Sequence, residues 1–248
     1  MLEHRKIGDL VDENHSLAYV LDSFGIDFFK YQDTVLGNVC DLKQVRLNLV
    51  TSSLANQPAL SQVDLGLLKN NSVSLVIEYL RHAHHVFIKR RLPFMDKLIK
   101  SLKPNDYNFP GLIHDVKLVF PLFFEDFIHH IYEEEDFVFN YINRLSDVVG
   151  GGKPASTLYF LLEAHGLKAI AHDHEDADDE MAGIRRITKN YTIGFNSDLK
   201  IRVLYKELRQ FENELVFHAR VENDILFPKA LEMEQQVISK IKSTTPYN

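Results

Sequence analysis

Apolar residues recur at intervals of three and four positions over most of the chain, and this spacing is typical of one buried face of an α-helix. The pattern predicts four long helices, at residues of about 72–100, 112–147, 155–190 and 198–241. Loop-forming residues gather between them, at 104–110, 150–154 and 192–197. Short loops between long helices favour antiparallel neighbours, so we expect an all-α, up-down four-helix bundle.

The first 60 residues carry shorter apolar periods and predict a small helical module. Gly25 offers a stop for one of its helices. The stretch from 55 to 71 is a plausible linker, because polar and turn-forming residues lie near both of its ends. We therefore predict two domains, a small helical N-terminal domain at 1–60 and a four-helix bundle at 70–248.

Two stretches of the chain are near copies of each other. Residues 130–139 and residues 218–227, which lie 88 positions later, both read His-x-x-x-Glu, a polar residue, Asp, two apolar residues and Phe. A His and a Glu four apart lie on one helix face, one turn from each other. The repeat therefore directs an imidazole and a carboxylate of each copy to one side of its helix.

Both His–Glu pairs lie in line with apolar residues, as expected for the buried stripe of a packed helix. In the second long helix the stripe runs through Phe123, Phe127, His130, Glu134, Phe137 and Tyr141. In the fourth it runs through Leu204, Leu208, Phe211, Leu215, His218, Glu222 and Ile225. His129 and Glu133 are also four apart, but they lie off the stripe and have no match in the second copy.

Each copy also has a histidine upstream, in the preceding helix. His85 lies 45 residues before the first pair, and His174 lies 44 residues before the second. The similar spacing and the apolar stripes that continue from these residues favour them as inward-facing. His84 is the rival of His85, and His172 is the rival of His174.

The inward residues predict a metal centre. Two buried carboxylates that face each other repel, and one takes up a proton unless cations lie between them. A single His-x-x-x-Glu pair is more often a local ion pair, but two copies with upstream histidines favour metal binding. Four imidazoles and two carboxylates can hold two ions, with Glu134 and Glu222 bridging. Such donors without a thiolate favour iron, although manganese and zinc accept them too.

Composition and charge narrow the class of protein. The net charge of −7 argues against a general nucleic-acid surface, which would be basic. The single cysteine, Cys40, allows no intramolecular disulfide, which suits a reducing compartment. The N-terminus has no signal-like apolar core, and no apolar stretch is long enough to span a bilayer. We expect a cytoplasmic protein without membrane or nucleic-acid partners.

The chain resembles the hemerythrin-like di-iron proteins and, within them, the iron–sulfur cluster repair family called Repair of Iron Centers. The resemblance is carried by the two His-x-x-x-Glu motifs, by His84-His85 ahead of Pro93, and by the run from Glu222 to Pro228. Carried over by position, the family's metal ligands are His85, His130, Glu134, His174, His218 and Glu222. This is the set that also follows from the repeat.

The N-terminal region is similar to the family's small N-terminal domain, in the segments from Ile7 to Val11 and from Phe24 to Phe28. The family usually has two adjacent cysteines directly after the second segment. Phe29 and Lys30 stand there in this chain. A role of that cysteine pair in redox chemistry or iron handling is therefore not carried over.

The resemblance implies two non-haem iron ions, bridged by the two glutamates and by an oxo group. It also implies a role in restoring iron–sulfur clusters after nitrosative or oxidative damage, by iron donation or nitric oxide binding. Iron–sulfur proteins are then the expected clients, and a homodimer is expected. The alternative is a protein that binds or senses dioxygen or nitric oxide without a repair role, which the missing cysteine pair favours. A metal-free helical interaction protein is a third hypothesis.

Overall fold

The computed structural model describes residues 2–56, 65–103, 110–164, 167, 179–194 and 197–244. Over these residues the regular structure is helical, and one isolated bridge pairs Lys6 with Val35. Short helices come first and long helical segments follow, which confirms the predicted all-α class with a region of short helices ahead of the long ones.

The described part of the N-terminal region contains four short α-helices, α1 (Ile7–Glu13), α2 (Leu17–Ser23), α3 (Leu36–Leu42) and α4 (Leu47–Ala55), and two single-turn 3-10 helices, Leu2–His4 and Phe28–Lys30. Gly25 ends α2 as its sequence indicates, because its φ of 71° is in the left-handed region that favours glycine. The Gly25 N–H donates to the Asp22 carbonyl, and the Ile26 N–H donates to the Leu21 carbonyl. This pairing satisfies the last carbonyls of the helix.

The remaining α-helices follow in chain order. They are α5 (Leu65–Lys69), α6 (Val73–Val86), α7 (Leu92–Ser101), α8 (Pro110–Glu133), α9 (Phe139–Val149), α10 (Tyr159–Ala164), α11 (Ala182–Ile187), α12 (Leu199–Val221) and α13 (Phe227–Thr244). The Ser72 side chain caps the start of α6 by accepting a hydrogen bond from the Leu75 N–H. The predicted helices at 72–100, 112–147 and 198–241 are each present as two α-helices in direct succession. The one predicted at 155–190 is described only near its two ends.

A single π turn joins the two parts of each of these three segments. The π turns are Phe87–Arg91, Glu134–Val138 and Glu222–Leu226. A π turn closes its hydrogen bond over five residues instead of four and so inserts one extra residue into the helix. The second and third π turns begin at the glutamates of the two sequence copies, so the 88-residue repeat is also a repeat of backbone geometry.

The extra residue shifts the buried face of each helix by one position. Phe139 and Phe227, each five residues after its glutamate, are buried. Phe137 is 73% exposed, although the regular spacing placed it on the inward stripe. That expectation was wrong because it counted steps of three and four across a turn that holds one more residue.

The chain divides into two compact units by its contacts. The first comprises Met1–Gln62, Arg90–Leu122 and Ala182–Glu212, and the second comprises Val63–Lys89, Phe123–Met181 and Asn213–Asn248. The boundary between the predicted domains at 1–60 and 70–248 stays a prediction.

Polar contacts join the N-terminal helices to α7 within the first unit. Lys97 forms ion pairs with Asp22 and Asp27. The Arg91 guanidinium lies 5.2 Å from the centre of the Tyr19 ring, and its Nη1 donates to Glu207 Oε2 at 2.8 Å. Arg91 and Glu207 are both buried, so this ion pair lies in the interior of the unit.

In the second unit α9 packs against α6 and α13. The buried Glu234 of α13 accepts hydrogen bonds from the Tyr141 hydroxyl at 2.7 Å and from the Leu167 N–H at 3.2 Å. Burial and the Glu234 carboxylate raise the pKa of Tyr141, so it stays a neutral donor. No helix in the described part of the chain combines the length and the apolar character that a membrane crossing requires.

Candidate metal centre

Four buried side chains of the second unit converge on one point: His84, Glu134, His218 and Glu222. One nitrogen or oxygen of each lies within 4.8 Å of those of the others. His84 Nε2 is 3.0 Å from His218 Nε2 and 3.2 Å from Glu134 Oε2. His218 Nε2 is 3.3 Å from Glu222 Oε1. Two imidazoles and two carboxylates are therefore gathered away from water.

Each of the four side chains lies beside a π turn. His84 is in the last turn of α6, just before the first π turn, and His218 is one turn before the end of α12. Glu134 and Glu222 are the first residues of the second and third π turns. Turns of this kind are rare in proteins as a whole, and those that occur are often at functional sites, where they redirect a side chain.

The structure brings His84, and not His85, into the cluster. The His85 side chain is exposed and lies outside it. The buried face of α6 ends with Leu80 and His84. Regular steps counted backward from the buried Leu92 reach His85 instead, because such a count omits the extra residue of the first π turn. His84, which the sequence offered as the alternative to His85, therefore occupies the inward position that periodicity assigned to His85.

The two carboxylate oxygens of Glu134 face two different histidines. Oε2 lies 3.2 Å from His84 Nε2, and Oε1 lies 2.9 Å from His130 Nε2. The Glu134 carboxylate therefore contacts two imidazoles at once, one through each of its oxygens. The structure thus brings together five predicted or rival ligands: His84, His130, Glu134, His218 and Glu222.

His130 lies at the more exposed edge of this group. Its side chain is 34% exposed, and its Nε2 is 3.8 Å from Glu180 Oε1. The neighbouring His129 is 74% exposed and lies 3.6 Å from Glu133, as a surface pair outside the cluster. The remaining predicted ligand, His174, and its rival, His172, lie outside the described residues.

The carboxylates control the protonation of the histidines. Burial by itself lowers the pKa of His130, but Glu134, with Glu180 and Glu222, outweighs burial and raises the pKa of His130 to about 9. Burial likewise opposes protonation of His218, and Glu222 and Glu134 together raise its pKa. Protons on the imidazoles therefore balance the buried carboxylates, and a cation at the same place displaces those protons when it binds.

A third carboxyl group, that of Glu135, contacts His84 on the side of the ring that faces away from the cluster. Glu135 Oε1 accepts a hydrogen bond from His84 Nδ1 at 2.8 Å, and the Phe139 ring stacks on the imidazole with ring centres 5.6 Å apart. With the proton on Nδ1, Nε2 presents its lone pair to the cluster. No signal in the sequence indicates this contact, because Glu135 and His84 are 51 residues apart and lie on different helical segments.

The donor set fits a transition-metal ion. Buried carboxylates are costly unless they are neutralised, and here two of them point at one spot together with imidazole nitrogens. Imidazole and carboxylate are the donors that iron, manganese and zinc accept, and no thiolate is present among the described residues of the cluster. His84, Glu134, His218 and Glu222 can hold one ion, and His130 faces the other oxygen of Glu134.

Comparison with known proteins agrees with this chemistry. Residues 75–230, more than half of the chain, match the family described as the hemerythrin HHE cation binding domain. A protein of Dickeya chrysanthemi (strain Ech1591) named iron-sulfur cluster repair protein YtfE is 20% identical over 230 residues, which cover 93% of this chain and 98% of the relative. Proteins of the same name from Yersinia pseudotuberculosis serotype IB and Yersinia pestis (strain Pestoides F) are 30% identical over 110 residues, 44% of either chain.

The matched residues include all four members of the buried cluster and His130. The long helices, the buried His–Glu cluster and the sequence match are three separate findings that lead to the same family. The chain belongs to the hemerythrin HHE cation binding domain family.

Proposed function

We propose that this chain is a di-iron protein that takes part in the repair of iron–sulfur clusters damaged by nitrosative or oxidative stress. In this proposal His84 and His218 hold one non-haem iron ion and His130 holds the other. Glu134 and Glu222 are shared between the two. His174, expected from the sequence, completes the donors of the second ion. Its clients are iron–sulfur proteins, its small ligands are nitric oxide or dioxygen, and it acts as a homodimer in the cytoplasm.

The observation that carries the proposal is the position of the Glu134 carboxylate. One of its oxygens is 3.2 Å from His84 Nε2 and the other is 2.9 Å from His130 Nε2. A site for one ion needs only one of these contacts. Two histidines on opposite oxygens of one buried carboxylate favour a pair of ions with a shared ligand.

The repair role is supported by the names of the relatives. The Dickeya protein that matches 93% of this chain is named as an iron–sulfur cluster repair protein, and so are the Yersinia proteins that match a shorter stretch. An identity of 20% over nearly the full length fits a shared fold and centre. It makes the repair of clusters the first activity to test.

The chain's own residues prepare the centre for this chemistry. Bound iron supplies electron transfer and an open position for a small ligand. Phe139 stacks on the His84 ring, and the Phe87 ring meets His218 edge-on at 5.8 Å. These rings exclude water from one side of the cluster and hold both imidazoles in orientation. Glu135 keeps the proton of His84 on Nδ1, away from the cluster.

The two adjacent histidines offer a sharp test of the centre. His84→Ala removes a cluster imidazole, whereas His85→Ala removes the exposed neighbour and serves as the matched control. Protein purified after aerobic expression in iron-rich medium is expected to carry about two irons per chain and to absorb in the near ultraviolet. His84→Ala should lose at least one of these ions, and His85→Ala should keep both. Wild-type protein without iron, or equal loss in both variants, contradicts the proposal.

The repair role has its own test. Metal-loaded protein is added to an iron–sulfur protein whose cluster has been damaged by nitric oxide, and recovery of the cluster's absorption and activity is measured. Recovery with the wild type and none with His84→Ala supports the role. A loaded protein that binds iron but restores no cluster leaves the centre intact as a proposal and removes the repair function.

The replacement of the expected cysteine pair by Phe29 and Lys30 favours a second candidate function. This candidate is binding or sensing of dioxygen or nitric oxide without repair. Reversible spectral change of the reduced, iron-loaded protein on exposure to dioxygen or nitric oxide, together with no effect on damaged clusters, distinguishes it from the first. A metal-free interaction protein is the outcome if a strong chelator leaves the melting temperature unchanged.

A further inference from the structure

Of the positions at which the two copies of the repeat differ, one contacts a histidine of the centre. Glu135 follows Glu134 in the first copy, and Asn223 follows Glu222 at the matching position of the second. Glu135 contacts the back of His84 through the 2.8 Å hydrogen bond to Nδ1. An amide oxygen can accept a hydrogen bond but carries no net charge. At the matching position of the second copy, Asn223 therefore offers no charged acceptor for a bond of this kind.

A carboxylate behind a ligand histidine has two effects on metal binding. It fixes the ring and its tautomer, and it makes the facing nitrogen a stronger donor to the metal. His84 is 1% exposed and Glu135 is 31% exposed, so solvent reaches this interaction only from the carboxylate side. Loss of such a partner typically lowers metal affinity about 10- to 100-fold.

Exposure adds a second difference between the two sides of the centre. His84 and His218, whose Nε2 atoms are 3.0 Å apart, are both buried. His130, on the other oxygen of Glu134, is 34% exposed. Water therefore competes for a cation beside His130 more readily than for one between His84 and His218.

We propose that Glu135 is a positioning residue that makes the two metal positions unequal, so that the position at His84 and His218 holds its ion more tightly than the position at His130. This inference rests on the proposed function only in requiring that the centre takes two ions. It predicts stepwise loading and stepwise loss, with the His130 position filled last and emptied first.

The test is a titration of metal-free protein with Co²⁺ under anaerobic conditions, in competition with a colorimetric chelator. Wild-type protein should bind about two ions in two resolved steps. Glu135→Gln keeps the size of the side chain and removes its charge. It should weaken the first step about 10- to 100-fold and leave the second step nearly unchanged. The visible spectrum of the first Co²⁺ equivalent should change as well, because the variant alters the donor strength of His84.

Two further variants keep the proposal testable if Glu135→Gln folds poorly. Glu135→Asp keeps the charge on a shorter side chain, so it should weaken the first step less than Glu135→Gln does and leave the second step unchanged. Glu133→Gln is the matched control, because Glu133 is a neighbouring carboxylate that is 61% exposed and pairs with His129. It should leave both steps within about two-fold of wild type, a change well below the effect expected at Glu135.

The outcomes separate this inference from the proposed function. Two equal steps in the wild type overturn the inference and leave a two-metal centre in place. So does a Glu135→Gln variant that weakens both steps equally or neither. Wild-type protein that binds no ion removes the proposed function, and the inference with it.

Discussion

His130 is the residue at which the charge of the centre meets solvent. Its imidazole contacts the buried Glu134 at 2.9 Å and also lies 3.8 Å from the partly exposed Glu180. These carboxylates hold the pKa of His130 at about 9, above its ordinary value of 6.5. In the metal-free protein His130 is therefore a cation at neutral pH, and its charge stabilises the folded chain.

The pH dependence of metal-free stability results from this shift. The pKa of His130 is higher in the folded than in the unfolded state, so its contribution is fully present below 6.5 and is lost as pH rises to about 9. The pKa of His218 is raised too and acts in the same direction. Urea unfolding of the metal-free protein should give a free energy of unfolding that falls steadily between about pH 6.5 and 9.

The variant His130→Gln should reduce that slope, because one of the two histidines no longer titrates. His129→Gln is the matched control, since its side chain is exposed and pairs only weakly with Glu133. A slope that is the same in His130→Gln and in wild type would contradict the assignment. With metal present the trend should reverse, since higher pH removes the protons that compete with the cation.

At the scale of helices, the three π turns decide where the functional side chains point. In each, one inserted residue rotates the later part of the helix relative to the earlier part, by about 100° in a regular helix. Pro93 and Pro228 each lie two residues after the end of a π turn. Proline cannot donate the regular helical hydrogen bond, which suits a helix whose pattern is already interrupted. At the matching position after the π turn Glu134–Val138 the residue is Asn140, and its side chain donates a hydrogen bond to the Asp136 carbonyl at 2.9 Å.

Deletion of Phe137 tests this role of the π turn directly. The deletion removes one residue of the turn Glu134–Val138 and places Phe139 four positions after Glu134, in register with a regular α-helix. We expect the helical content measured by circular dichroism to be retained. Metal affinity should fall about ten-fold or more, because the Glu134 carboxylate loses its position.

Phe137→Ala is the control for that deletion. It removes the same ring, which is 73% exposed, without changing the number of residues in the turn. Metal affinity should stay near that of wild type in this variant. If the substitution and the deletion weaken metal binding to the same extent, the ring matters and the extra residue does not.

The same π turns explain which features of the fold and of the site could be predicted from the sequence. Periodicity predicted the helices, and the repeat identified Glu134 and Glu222, because spacing within one helix is a local property of the sequence. Periodicity placed His85 on the inward stripe, whereas the cluster contains His84, and it placed Phe137 there, which is exposed. Each of these two residues lies next to or within a π turn, whose extra residue the sequence pattern does not show. The contact between Glu135 and His84 depends on how two helices pack, which periodicity does not contain.

At the scale of the molecule, the centre connects segments that are far apart in sequence. The cluster draws on α6, on the junction of α8 and α9, and on the junction of α12 and α13, all in the second unit. A cation held by all of them binds the folded chain only, because the unfolded chain does not assemble the site. Metal is therefore expected to stabilise the protein by mass action.

Removal of metal should lower the melting temperature of the whole chain. At a free metal concentration about 100 times the dissociation constant, one bound ion stabilises the folded state by about 2.7 kcal/mol. For a chain of this size that corresponds to about 5 to 10 °C. Calorimetry before and after dialysis against a chelator measures the difference, and re-addition of the metal should restore it. A His84→Ala variant should show a much smaller difference.

The distribution of the cluster along the chain also determines when it can be filled. His84 and Glu134 come first, and His218 lies 84 residues after Glu134, with Glu222 one turn later. A nascent chain on the ribosome thus has half of the donors in place long before the other two are synthesised. The buried four-residue cluster cannot assemble until residue 222 has left the ribosome, and a chain that stops before residue 218 contains only two of its four side chains, His84 and Glu134.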